Sequence, residues 1–199
     1  MHKKLALLAP LLVAMAFAVV PAAAQAVPHW YKKNSLIGSG PIPTATAGAL
    51  EFTALGATVK CKVKDTEEIW NPASGGPGED LMTAFQIVKC KSTGSAVCPP
   101  GKVEVLANGL PWPSVLVTTS PGPPPVIVDE IKKVRIQLRC VPGTVGDEFE
   151  GTLSPEVVGN TLLFGPGSGT LLDPTLNPMT VSGKDKIVAG PGKVTAKDP

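Results

Sequence analysis

The chain has 199 residues, 18 basic and 16 acidic side chains, and a formal net charge of +2. Lys3 and Lys4 fall in the first 26 residues, so from Val27 onward the two signs balance, and no basic stripe remains to hold nucleic acid. Glycine (21) and proline (22) together exceed a fifth of the chain, against an ordinary joint share of roughly 12%. They are spread between apolar, β-branched runs, which is the pattern of short strands with frequent turns.

The first element is a targeting segment. "MHKKLALLAPLLVAMAFAVVPAAAQA" has a basic head, an apolar run from Leu5 to Val20, and the small-x-small pattern Ala24-Gln25-Ala26. It reads as a secretory signal peptide over 1–26, helical in form and removed on export. No cysteine near the cut would take a lipid, and no later stretch is long and apolar enough to span a bilayer. Export to the medium or the cell envelope is the expected location.

Residues 27–47 are polar and punctuated by Gly and Pro, predicting an extended leader. A single β domain is expected over 48–190. "ALEFTALGATVKCKVK" predicts two strands about Gly56. Val59, Cys61 and Val63 share one face, and Lys60, Lys62 and Lys64 share the other, as in a half-buried strand. Lysines in that arrangement also guard a sheet margin. "NPASGGPGED" is a loop by composition. The twelve residues "EDLMTAFQIVKC" are shadowed by "DEIKKVRIQLRC", in which Val134, Ile136, Leu138 and Cys140 form a clean apolar face. In the first copy Phe85 and Ile87 oppose Cys90, predicting a strand covered on both sides.

"KVEVLA", "SVLVTT" and "PVIVDE" add strands, with Pro123, Pro124 and Pro125 confined to a loop or an edge. The last third keeps the same rhythm, and 191–199 reads as a flexible tail. The expected fold is all-β: an antiparallel β-sandwich or partly closed β-barrel of about ten or more short strands.

Four cysteines, Cys61, Cys90, Cys98 and Cys140, read as two disulfides in an exported chain. They form no Cys-x-x-Cys knuckle, and the one histidine beyond the signal is His29, so zinc is not expected. Face matching pairs Cys61 with Cys140 through the core and Cys90 with Cys98 across a local loop.

No catalytic constellation is recognisable. A serine nucleophile needs a base, and no Gly-x-Ser-x-Gly elbow or Walker loop occurs. No cofactor or metal is expected. Acids that could serve glycoside hydrolysis are Glu79/Asp80, Asp129/Glu130 and the group Asp147, Glu148 and Glu150; as strand-end charges they also suit a solvated loop. "GGPGED" and "VPGTVGDEFE" offer oxygens to calcium without the spacing of a known calcium loop. Trp70 and Trp112 stand at strand–loop borders and are the candidate binding residues. In "NGLPWPSVLV" the prolines hold the backbone around Trp112, which is expected to point inward as a corner plug.

The order "VKCKVKDTEEIWNP", "FQIVKCKS", "VCPPGKVEVLANGLPWPSVL", "DEIKKVRIQLRC" and "FEGTLSPEVVGNTLLFGPGSGTL" resembles an uncharacterised secreted all-β family found in several divergent copies in high-GC actinobacteria. The resemblance covers about residues 51–190 and implies a secreted all-β domain. It implies no activity and carries over no catalytic residue.

The expected function is that of an exported, disulfide-stabilised β domain, binding or structural rather than catalytic, with an envelope glycan or protein as partner. A carboxylate-based, glycosidase-like envelope enzyme is the alternative.

Overall fold

Alternation of apolar and polar side chains runs through the long segments, and strands satisfy it by showing one face to a common interior. The computed structural model describes residues 27–93, 103–141, 146–190 and 192–198. The expected signal segment 1–26 and Cys98 lie outside the described residues. The described strands are β1 (His29–Lys32), β2 (Ser35–Leu36), β3 (Ile42–Ala54), β4 (Ala57–Trp70), β5 (Glu79–Thr93), β6 (Val103–Asn108) and β7 (Trp112–Ser120). They continue with β8 (Val126–Cys140), β9 (Asp147–Leu153), β10 (Glu156–Val158), β11 (Thr161–Phe164), β12 (Thr170–Leu172), β13 (Pro178–Val188) and β14 (Val194–Lys197).

Eight staves close into an antiparallel barrel. Pairing runs β3–β4–β5–β7–β8–β9–β12–β13 and returns to β3, where ten residue pairs, from Met179↔Ala54 to Val188↔Ala45, seal the ring. The barrel is therefore fully closed, the stronger form of one of the two expected architectures. β3 and β4 join through Leu55 (φ 51°) and Gly56 (φ 73°), both left-handed as a tight hairpin turn requires.

Three staves are interrupted. β6 and β7 lie end to end against β8, separated by residues 109–111. β9 and β10 also continue along β8. Ile131↔Leu153 and Val128↔Glu156 keep one register, and between them Asp129 N donates to Pro155 O at 3.0 Å. β11 and β12 both run along β13. The two similar twelve-residue segments become β5 and β8, the staves on either side of β7.

A small sheet, β14–β1–β2, packs on the barrel. Strands thus form within 27–47, expected as an extended leader, and within 191–199, expected as a flexible tail. The physical reason is mutual. β1 and β14 supply each other's backbone partners from Trp30↔Ala196 to Lys32↔Val194, and the pair buries Trp30 and Val194. Asn71 fixes the arrangement: its Oδ1 accepts from Trp30 N at 2.8 Å, and its Nδ2 donates to Trp30 O at 2.9 Å and Ile37 O at 2.7 Å.

The disulfide pairing differs from the expectation. Cys61 is bonded to Cys90, not to Cys140. Cys140 is also disulfide-bonded. The cause is a β-bulge. Lys60 faces Lys91 and Lys62 faces Val88, so Cys61 opposes two residues, Lys89 (φ 53°) and Cys90. One extra residue reverses the parity of the strand beyond it. Cys90 therefore joins Phe85 and Ile87 on the inner face, and the two-sided reading of β5 dissolves with it. Nor does β4 lie at a margin, since it runs between β3 and β5. Its Lys60, Lys62 and Lys64 cover the outer wall.

Candidate functional site

One end of the barrel interior is apolar. Trp112 is buried there, 5.6 Å from Phe85 between ring centroids, and its Nε1 donates to Asn108 O at 3.0 Å. The inward plug expected of "NGLPWPSVLV" is what the structure builds. It sits where the stave passes from β6 to β7, through a cis Leu110–Pro111 bond. A cavity of about 20 Å³ lies against Phe52, Phe85, Trp112 and Asp65, room for about one water. Side chains of the described residues fill this part of the interior.

The other end of the interior is acidic. Strand alternation turns Asp65 and Glu67 inward from β4, Asp80 from β5, Asp129 from β8 and Asp185 from β13, and all five are at most 4% exposed. The register locates them. Asp65 faces Thr46 and Glu67 faces Thr44 on β3, Asp80 faces Ser114 on β7, Asp129 faces Leu116 on β7, and Asp185 faces Gly48 on β3. Gly48 is needed there: a Cβ would meet the Lys184 carbonyl and approach Asp185 Oδ1 to 2.9 Å. Among the described residues no Lys, Arg or His is buried.

Unpaired carboxylates are costly to bury, and such groups hold protons instead. Burial, then the charge of Asp185, pushes Asp65 from an ordinary 3.8 up to about 8. Glu67 is raised well above its ordinary value by burial and then by Asp80, Asp65, Asp129 and Asp185, which makes it the hub of the group. Burial lifts Asp80 to about 6 against the pull of Ser114 and Asp129. Asp129 is raised by burial and by Asp80. Burial lifts Asp185 to about 6, although Thr46 Oγ1 donates to its Oδ2 at 2.8 Å and Lys186 N to its Oδ1 at 2.9 Å. Among the described residues Asp65 Oδ1 and Glu67 Oε1 have no hydrogen-bond partner, whereas Asp80, Asp129 and Ser114 have only one another to bond. Asp173 makes the contrast. In its loop it accepts from Asn177 and Thr175 at 2.8–2.9 Å, and those donors, Asn177 first, lower its pKa.

Of the acids singled out in the sequence, Asp80 and Asp129 are brought together, one from each pair, but inside the wall. At 2% and 1% exposed they do not reach a sugar. Asp147, Glu148 and Glu150 lie on β9. Glu148 accepts from Asn108 Nδ2 at 2.8 Å, and Glu150 pairs with Arg135 at 3.0 Å. Among the described residues no three His, Cys, Asp or Glu side chains are placed to hold a metal ion. Asp65, Glu67 and Asp185 escaped sequence reasoning, though the signal is present: the inward series Val59, Cys61, Val63 continues without a break through Asp65, Glu67 and Ile69.

On the outer wall Trp70 is half-buried and lines a groove of about 290 Å³ with Leu81, Pro113 and Val115, rimmed by Glu79 and Lys132. Lys132 Nζ is 3.0 Å from Glu130. Trp70 and Trp112 thus part company: one lines the outer groove and the other belongs to the core. Comparison of the chain with family models, with curated proteins and with solved structures finds no match.

Proposed function

We propose that this is an exported domain of the cell envelope or medium that binds a glycan in the Trp70 groove without transforming it. The observation that carries the reading is the half-buried indole of Trp70 beside an apolar bed and two charged rim residues. An indole face stacks on the apolar face of a pyranose, and Glu79 and Lys132 put a carboxylate and an ammonium on the same groove for its hydroxyls. The signal-like segment 1–26 and the Cys61–Cys90 disulfide support export, because disulfides persist in oxidising compartments. The resemblance to a secreted actinobacterial family agrees with it.

A second reading rests on one further observation. Val115 faces Glu79 on one side and Glu130 on the other. Two strand spacings set those backbones about 9.5 Å apart, so two carboxyl-bearing residues flank Val115 across the wall, and a glycosidase needs a pair of carboxyls about a bond. A glycan array followed by calorimetric titration separates the readings. Binding that weakens at least about tenfold in Trp70→Ala, with the bound oligosaccharide recovered intact, supports the binder. Hydrolysis abolished by Glu79→Gln supports the enzyme, and an array without hits removes the glycan.

A further inference from the structure

We propose that the carboxyl layer inside the barrel is a proton-dependent lock, holding the fold tight in acidic surroundings and loosening it as the surroundings turn alkaline. The inference is independent of the Trp70 groove. It stands first on placement. Asp65, Glu67, Asp80, Asp129 and Asp185 come from four staves into one enclosed volume.

The neighbouring elements supply nothing to balance them. β3 presents Thr44 and Thr46, β7 presents Ser114 and Leu116, and β9 and β12 present Phe149, Leu153 and Leu171, all buried. The lysines of β4 and β13 point outward, as Lys60, Lys62, Lys64, Lys184 and Lys186 are exposed. The Ser114 hydroxyl is shared between Asp80 and Asp129, and Asp65 Oδ1 and Glu67 Oε1 have no hydrogen-bond partner among the described residues. A layer with this makeup is compatible with close packing only while most of its members carry protons.

The direction of the pH effect follows from linkage. Raised values mean that the folded chain keeps protons the unfolded chain has released. The contribution is complete below about pH 4. It is lost as pH climbs through about 6, where Asp80 and Asp185 ionise, and through about 8, where Asp65 does. Most folded proteins gain from ionised carboxylates over the same interval, so the slope is the reverse of the common one.

The test is thermal unfolding of the full, oxidised chain from pH 4 to pH 9. The midpoint is expected to peak near pH 5 and to fall by about 10 °C or more by pH 8. A midpoint that is flat or rises over that interval overturns the proposal. Asp80→Asn and Asp129→Asn are expected to raise the midpoint at pH 8 and leave it within a few degrees at pH 5; equal effects at both values would overturn it. Proton exchange on unfolding needs no variant. At pH 6.5 in unbuffered solution, unfolding by denaturant is expected to release at least about two protons per chain. No release, or uptake, would overturn the lock.

Discussion

Cys61 and Cys90 stand 4.1 Å apart, Cα to Cα, on neighbouring staves, and their disulfide spans 29 positions of sequence. A closed loop of that size restricts the unfolded chain by about 3.5 kcal/mol in the chain-entropy model. Replacing both residues by alanine is expected to lower stability by about that amount in a denaturant titration. Peptide mapping without reduction should recover Cys61 joined to Cys90, and a peptide joining Cys61 to Cys140 would contradict the structure.

Trp112 plugs the break between β6 and β7, so its volume matters more than its polar atom. Trp112→Ala is expected to cost about 3–5 kcal/mol. Trp112→Phe should cost less, because it keeps most of the contact with Phe85 and gives up the bond to Asn108 O. Equal losses from the two would show that the indole N–H, rather than packing, holds the site.

Gly48 stands where β13 leaves no room for a Cβ on β3. Gly48→Ala is expected to destabilise by about 1–3 kcal/mol through overpacking. The main obstacle is the Lys184 carbonyl, a backbone group, so adding Asp185→Ala should not restore stability. Denaturant midpoints of the single and double variants decide it.

Asn71 serves three backbone groups of the small sheet at once. Asn71→Ala takes that partner from Trp30 N and Ile37 O, while Trp30 O still accepts from Ile37 N at 3.0 Å; the expected cost is about 1–3 kcal/mol for each unpaired group that stays buried. Hydrogen exchange should show lost protection at Trp30 and Ile37 before any loss in β3 or β4. Simultaneous loss throughout would mean that the small sheet and barrel unfold as one unit.

The strands, the all-β class and the inward turn of Trp112 were legible because each rests on local alternation or on proline geometry. The pairing of Cys90 was not. Its side depends on one left-handed residue, Lys89, whose conformation is set by the partner strand. The strands at the two ends of the described chain were illegible for a related reason: β1 and β14 make sense only beside each other. The acidic layer lay between these cases. Asp65 and Glu67 fall on the predicted inner face of β4, but a carboxylate reads as solvent-seeking until the neighbouring staves show where it sits. That Asp80 and Asp129 meet beneath β7 depends on a closure that no single segment encodes.

The ring closed by β13 and β3 leaves β3, β4, β8 and β13 paired on both sides. Backbone groups along those staves are occupied by neighbours, so they offer no template on which another chain could extend the sheet. Among the described residues, margins remain where β6 pairs with β8 alone and at the outer edges of the three-stranded sheet. One of these, β2, is two residues long, and the other, β14, ends in Lys197. Strand-by-strand association of copies is confined to such margins, and the short terminal sheet is the place to watch for it.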